Sequence, residues 1–166
     1  MKIVYAPETW DVTDGHRIFL AGPTPRSQSI ASWRPNALKI FETLDYEGTI
    51  LVPEDRSGLF KCSYDAQIEW EDFGLRNADC IMFWVPRSLP DMPAFTTNDE
   101  WGTWKRSGKC VWGNPPTAEK VSYQRFYAQK LNVPMSDTLE QTCVNAIETA
   151  KNHFIKRIQM EHGVYI

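Results

Sequence analysis

Cys80-Ile81-Met82-Phe83-Trp84-Val85 is the longest unbroken apolar run in the chain. The run is far too short to cross a membrane and has the length of a buried β-strand. Asp79 precedes the run and Pro86 ends it, so the strand has clear limits. This stretch therefore predicts the best-defined strand of the fold.

Shorter apolar runs at His16 to Ala21, Thr49 to Val52 and Lys109 to Gly113 predict three further strands. Ile3 to Tyr5 forms a possible short edge strand. Stretches with helical spacing of apolar residues lie between and after these runs, at 33–44, 64–75, 97–107, 122–131 and 137–162. Strands and helices thus alternate along the chain. This alternation predicts an α/β fold, in which a doubly wound parallel sheet carries helices on both faces.

Composition narrows the classes of function. A chain of 166 residues with 42% hydrophobic and 23% charged residues is typical of one soluble globular domain, spanning residues 1–166. The net charge of −3 offers no basic stripe for a nucleic acid polymer, although a single nucleotide stays open as a ligand. The amino terminus lacks the apolar segment of a signal peptide. We therefore expect a cytoplasmic protein with no membrane association.

The cysteines give no sign of a metal site. Cys62, Cys80, Cys110 and Cys143 are widely spaced, without a C-x-x-C pair, and only three histidines accompany them. This pattern favours neither a zinc site nor a disulfide framework. We expect reduced thiols, buried in strands at Cys80 and Cys110.

Ligands of doubly wound sheets bind outside the carboxyl ends of the strands. In this sequence those ends are followed by Gly22 to Ser27, Pro53 to Gly58, Pro86 to Phe95 and Asn114. Neither a G-x-G-x-x-G fingerprint nor a P-loop motif follows any strand, which disfavours dinucleotide-dependent redox chemistry and P-loop chemistry.

The segment Thr96 to Trp104 combines carboxylates, small polar groups and large aromatics. Thr97, followed three positions later by Glu100, has the spacing of a capping box in the first turn of a helix. On that interpretation Glu100 is only a cap. Alternatively, Glu100 is a nucleophile that the helix amino terminus keeps ionised.

Four short motifs in order resemble nucleoside 2-deoxyribosyltransferases and their relatives, over roughly residues 16–150. They are His-Arg-Ile-Phe-Leu-Ala-Gly-Pro at 16–23, Glu71, Asn-Ala-Asp-Cys-Ile-Met-Phe-Trp at 77–84, and Thr-Asn-Asp-Glu-Trp-Gly at 97–102. The resemblance implies a Rossmann-like (flavodoxin-like) sheet of about five strands. It also implies cleavage of the N-glycosidic bond of a nucleoside or nucleoside monophosphate, with no cofactor and no metal.

The resemblance implies roles for several acids. Glu100, in Glu100-Trp101-Gly102, matches the nucleophile to which the sugar becomes attached. Glu71 matches the acid that binds the sugar hydroxyls, with Asp72 as the alternative. This chemistry agrees with the residues, because a carboxylate stabilises and traps an oxocarbenium-like sugar. We expect Gly102 to let backbone or substrate approach closely.

One position departs from the family pattern. Members carry an Asp six residues before the nucleophile that protonates the leaving base, and here that position is Ala94. Asp99, Asp91 or Asn98 can take its place.

Further residues are candidates for substrate binding. Gly22, Pro23, Arg26 and Ser27 follow the strand at 16–21, where Arg26 and Ser27 suit a 5′-phosphate. A structural turn is the alternative for this segment. For Arg56 and Ser57 two interpretations stay open: binding of the same phosphate, or simple solvation. The remaining candidates are Asp79, Asn98 and the aromatic residues Trp84 and Trp101, which are more often packing residues than ligand contacts; Tyr5 or Trp10 is a candidate cover for the base.

The resemblance also implies a homodimer or higher homo-oligomer, in which residues near a neighbour's carboxyl terminus complete each site. The apolar Gly163-Val164-Tyr165-Ile166 is compatible with that arrangement. Two alternatives to a transferase stay open. One is a hydrolase that acts on a nucleoside 5′-monophosphate, and the other is a sensor that binds a nucleotide without turnover.

Overall fold

A computed structural model describes residues 1–12, 15–27, 29–57 and 63–161. Six parallel strands form one sheet in the order β1-β3-β2-β4-β5-β6. The strands are β1 Lys2–Tyr5, β2 Arg17–Ala21, β3 Thr49–Val52, β4 Cys80–Trp84, β5 Cys110–Gly113 and β6 Met135–Ser136. The helices are α1 Arg34–Thr43, α2 Tyr64–Asn77, α3 Phe95–Trp104, α4 Ser122–Lys130 and α5 Leu139–Glu161.

The doubly wound parallel sheet is confirmed, but the strand count is six instead of about five. Strands β3-β2-β4-β5-β6 have the flavodoxin-like order, and β1 adds an edge strand beside β3. The strand that the sequence pattern missed is β6, which pairs only Met135 with Trp112 and Ser136 with Gly113. A two-residue strand is too short to show a period-2 pattern.

Helices cover both faces of the sheet. On one face, α1 and α5 pack against Ile18, Leu20 and Met82. On the other face, buried residues of α2, α3 and α4 pack against Phe19, Ile81 and Phe83. Because β4 is fully buried between these layers, its side chains are apolar on both faces.

Cys80, Cys110 and Cys143 are free and buried, as predicted. Cys62, Gly58, His162 and the segment 163–166, which carried other predictions, lie outside the described residues. Within the described part of the chain, no helix is both long enough and apolar enough to span a bilayer.

The strand order reverses direction between β2 and β4, because β2 continues through α1 to β3 while β4 continues through α3 to β5. The loops that follow β2 and β4 diverge at this point and leave a crevice. Gly22 begins the first loop and is in close contact with the end of β4. A Cβ at Gly22 would lie 2.2 Å from the Trp84 carbonyl oxygen, so only glycine fits there.

Asp79 lies at the opposite, amino-terminal edge of the sheet. Its carboxylate accepts hydrogen bonds from the Arg17 backbone N–H (2.9 Å), Arg17 Nε (3.2 Å) and Arg157 Nε (3.1 Å). Asp79 and Arg17 are both buried. The prediction that Asp79 contacts substrate is therefore wrong, since this carboxylate joins β2, β4 and α5.

We expect Asp79→Asn to lower the free energy of unfolding by about 3–5 kcal/mol, because the buried Arg17 guanidinium would lose its counter-charge. Urea denaturation measures this loss. Asp72→Asn is the matched control, since Asp72 is exposed and pairs only with Arg76 one turn along α2 (2.7 Å). That variant should lose about 0.5 kcal/mol or less. Equal, small losses in the two variants would contradict a structural role for Asp79.

Candidate active site

A cavity of about 820 Å³ opens at the crevice between the loops after β2 and β4. Its walls are the loop after β2, one face of α2, and one face of α3 along the whole helix together with the residues before it. The volume lies within the range of small-molecule sites. Of the residues predicted for the site, seven line this cavity: Gly22, Pro23, Arg26, Glu71, Asp72, Asp99 and Glu100.

The start of α3 differs from the predicted capping box. The helix begins at Phe95, after Ala94 in the left-handed conformation (φ 58°), and no side chain caps it. Thr97 is buried within the first turn, and Glu100 is the sixth helical residue. The capping-box interpretation is therefore wrong, because the left-handed turn at Ala94 starts the helix earlier than Thr97.

The electrostatics of Glu100 also differ from the prediction. The pKa of Glu100 is raised to about 8, chiefly by burial and next by the nearby Glu71; Arg34 lowers the pKa and Asp99 adds a smaller rise. A helix amino terminus favours a charged carboxylate only within the first turn, and Glu100 lies beyond it. The raised pKa means that the site disfavours the ionised form of Glu100, contrary to the expectation that the helix keeps it ionised.

Glu71 contributes the second carboxylate of the cavity, from α2. Its side chain is half-buried and accepts a hydrogen bond from Gln67 Nε2 at 2.8 Å. Burial raises the pKa of Glu71, while the Gln67 hydrogen bond and Arg34 lower it. Two carboxylates in one desolvated space resist ionising together. Each of the two carboxylates therefore disfavours ionisation of the other.

Arg34 is the counter-charge for this pair and was not predicted. The side chain is 2% exposed and donates to the carbonyl oxygens of Leu20 (3.2 Å) and Gly22 (2.8 Å). It also donates to Thr24 Oγ1 (3.2 Å) and to a Glu54 carboxylate oxygen (2.6 Å). Arg34 lines the cavity. It thereby places a fixed positive charge in the wall that Glu71 and Glu100 share.

The sequence did contain a signal for Arg34. Ala37 and Phe41, three and seven residues after it, are both fully buried, so Arg34 shares their helical face. An arginine in an apolar stripe must find hydrogen-bond acceptors or an anion. The helix itself begins at Arg34, with Pro35 tolerated in its first turn as predicted, and Ser32 Oγ accepts the Arg34 backbone N–H at 3.2 Å.

Arg26 stands at the cavity mouth. Its guanidinium lies over the Phe95 ring at 5.1 Å from the centroid, and its backbone N–H donates to the Asp91 carbonyl at 3.1 Å. No carboxylate of the described residues forms an ion pair with Arg26, which is exposed. The Ser27 hydroxyl instead pairs with Ser29 and does not line the cavity. Arg26 is therefore a cation that a ligand can use.

Other predicted contacts lie away from the cavity. Asn98 Oδ1 accepts from Arg87 Nη2 (2.5 Å) and Gln124 Nε2 (2.6 Å), which joins α3 to α4. Trp84 and Trp101 are 6% and 2% exposed and belong to the core. These three residues are corrected from substrate contacts to packing residues.

Three weaker predictions are also corrected. The Arg56 guanidinium donates to both Glu8 carboxylate oxygens (2.7 and 3.0 Å) and lies over the Tyr5 ring. Arg56, Tyr5 and Trp10 do not line the cavity. A Cβ at Gly102 would meet no described atom within 4 Å, so no close backbone approach requires this glycine.

The face of α2 also differs from the pattern-based expectation. The helical spacing of apolar residues over 64–75 predicts a core-facing stripe of Tyr64, Ile68 and Leu75, but Tyr64 and Ile68 are 67% and 46% exposed and only Leu75 is buried. All three line the cavity, together with Phe95, which is 63% exposed. Among the described residues, no group of three or more His, Cys, Asp or Glu has a metal-binding arrangement.

Comparison with known proteins identifies the class. The chain belongs to the nucleoside 2-deoxyribosyltransferase-like family, whose sequence model matches residues 15–117, more than half of the chain. The resemblance drawn from the four motifs is thereby confirmed, and it places the chain among proteins that act on small-molecule nucleosides or nucleotides. No curated protein matches the sequence. Among solved structures, the chain is similar to the CMP N-glycosidase BcmB of Clostridium botulinum, with 16% identity, coverage of 77% of this chain and 94% of that chain, and a TM-score of 0.45.

We expect Glu100→Gln to stabilise the protein at alkaline pH. The folded-state pKa of about 8 lies above the unfolded value of 4.5, so the wild type loses stability as pH rises from about 4.5 to about 8. The neutral Gln side chain avoids this loss, which should be on the order of a few kcal/mol. Thermal melts of both proteins at pH 5 and pH 9 measure the difference.

Glu69→Gln provides the control for the melts, because Glu69 is exposed on α2. Its stability should change with pH in parallel with the wild type. A Glu100→Gln variant that also paralleled the wild type would contradict the desolvated state of Glu100.

Proposed function

We propose that this protein cleaves the N-glycosidic bond of a nucleoside or nucleoside monophosphate, through a glycosyl intermediate on Glu100. The observation that carries the proposal is the pairing of Glu71 and Glu100, two desolvated carboxylates that two helices present to one cavity at the switch point of the sheet. Carboxylates so placed suit displacement at a sugar carbon. Membership of the nucleoside 2-deoxyribosyltransferase-like family supports the same substrate class.

The reaction proceeds in two displacements. The ionised Glu100 carboxylate forms a C–O bond to the anomeric carbon while the C–N bond breaks. The electron pair of the C–N bond leaves with the base nitrogen. Water or a second base then attacks the same carbon and passes its proton to the group that protonated the leaving base, while the Glu100 carboxylate is released. Glu71 hydrogen-bonds the sugar hydroxyls and so positions the anomeric carbon at Glu100. Water as the acceptor gives a hydrolase, and a base gives a transferase.

Protonation of the departing base needs a donor other than residue 94. Ala94 lines the cavity but has no proton to give. Asp99 lines the same cavity and is exposed at its wall, whereas Asp91 does not line it. Asp99 is thus the better-placed of the candidate donors. If no donor acts, the protein binds its ligand without turnover, and the missing Asp at position 94 favours this sensor as the second candidate.

The proposal is tested by incubating the protein with deoxynucleosides and deoxynucleotides, with and without an acceptor base. We expect base release or exchange, and at least a 10³-fold loss in Glu100→Gln. The kcat/KM should rise with pH to a limb near 8, because the nucleophile must be deprotonated. In Glu71→Gln this limb should move to lower pH, since Glu71 raises the pKa of Glu100.

Glu69→Gln is again the control and should leave the pH profile unchanged. A Glu100→Gln variant with wild-type turnover would remove Glu100 from the mechanism. No reaction with any substrate, combined with a higher melting temperature in the presence of a nucleotide, would establish the sensor instead.

Arg26 provides the means to recognise a 5′-phosphate, because its guanidinium is exposed at the cavity mouth without an ion-pair partner among the described residues. We expect Arg26→Ala to lower kcat/KM for monophosphates about tenfold relative to the matching nucleosides, the loss of one charge-assisted contact. Arg56→Ala is the matched control, since Arg56 is exposed but bound to Glu8. A wild-type protein that preferred unphosphorylated nucleosides would contradict the role of Arg26.

A further inference from the structure

Three large apolar side chains surround the mouth of the cavity: Tyr64, Ile68 and Phe95, which we call the apolar rim. They are 67%, 46% and 63% exposed. Tyr64 begins α2, Phe95 begins α3, and Ile68 lies one turn after Tyr64. Large apolar side chains that share a concave surface are a mark of a binding site.

Burial increases along the α2 face that lines the cavity. Tyr64 and Ile68 are exposed at the mouth, Glu71 is half-buried, and Leu75 is 5% exposed. Residues three or four apart on a helix lie in one row. The row therefore leads from the apolar side chains of Tyr64 and Ile68 at the mouth to the half-buried carboxylate of Glu71.

A ligand that fits this gradient has a polar end and a flat apolar end. A nucleoside has this distribution, because the sugar carries hydroxyl groups while the base presents two π-faces. With the sugar at Glu71 and Glu100, the base extends toward the mouth of the cavity. Arg26 lies over the Phe95 ring, yet Phe95 remains mostly exposed and able to contact a ligand.

We propose that Tyr64 and Phe95, supported by Ile68, bind the nucleobase by stacking and make the site tolerant of both purine and pyrimidine bases. This proposal rests on the proposed function, since it takes the sugar to lie at the carboxylates. Stacking accepts every base, because each base has a π-face. Since residue 94 is alanine, no carboxylate is available there to read the base edge. The site therefore accepts purine and pyrimidine nucleosides alike.

The test measures equilibrium binding to Glu100→Gln, which holds the substrate without turning it over. The probes are 2′-deoxyadenosine, 2′-deoxycytidine and base-free 2-deoxyribose. Tyr64→Ala and Phe95→Ala, each added to Glu100→Gln, should weaken binding of both nucleosides about tenfold and leave deoxyribose binding unchanged. Tyr64→Phe should retain nucleoside binding, because it keeps the ring.

Phe126→Ala is the matched control, since Phe126 is an exposed aromatic (59%) on α4 that does not line the cavity. It should bind all three probes as its parent does. Unchanged nucleoside binding in Tyr64→Ala and Phe95→Ala would overturn the proposal. So would a fall in association state by sedimentation without a change in nucleoside binding, because a second copy of the chain would then cover the rim.

The outcomes separate the base site from the catalytic proposal. If the wild type releases no base but nucleoside binding still depends on Tyr64 and Phe95, the base site stands and the glycosidase proposal fails. If the wild type releases base and neither KM nor binding responds to these substitutions, the base site alone is overturned.

Discussion

The buried guanidinium of Arg34 is the interaction on which the rest of the site depends. It joins the end of β2, through the Leu20 and Gly22 carbonyls, to the loop after β3, through Glu54. The loop after β2 is one wall of the crevice, and Pro53 in the loop after β3 also lines the cavity. The same charge lowers the pKa of both Glu71 and Glu100. Arg34 therefore holds the geometry of the cavity and limits the cost of placing two carboxylates in it.

The burial of Glu71 and Glu100 costs the folded chain stability. The helices that carry them, α2 and α3, are held by contacts remote from the cavity. The Lys109 ammonium donates to the carbonyls of Leu75, Arg76 and Ala78 at the carboxyl end of α2 (2.8, 2.8 and 3.0 Å), where a cation favours the helix dipole. Asn98 joins α3 to Arg87 and Gln124. Both helices are therefore fixed at points away from the cavity, so a desolvated carboxylate on each need not be neutralised by a local contact.

The longer strands were predicted correctly and the start of α3 was not, because local sequence patterns specify the strands while tertiary packing sets the start of α3. Strands such as Cys80–Trp84 are specified by local apolar runs, which burial between two helix layers requires. The start of α3 is set instead by the conformation of Ala94. Alanine does not favour the left-handed region, yet tertiary packing holds Ala94 there at φ 58°. Arg34 was missed because its four acceptors come from two segments distant in sequence, residues 20–24 and Glu54, and a local pattern cannot show that convergence.

The stripe on α2 shows where amphipathic patterns reach their limit. Tyr64, Ile68 and Leu75 have the spacing of a core-facing row, yet only Leu75 is buried by the protein. Helical spacing identifies which residues share a face, but it does not say whether protein or ligand covers that face. Glu71 in the middle of the row is the feature that separates the two cases. A buried carboxylate with a raised pKa is costly in a sealed core, because nothing replaces its lost hydration. In an open cavity, the hydroxyl groups of a ligand can offset that cost by hydrogen bonding to the carboxylate.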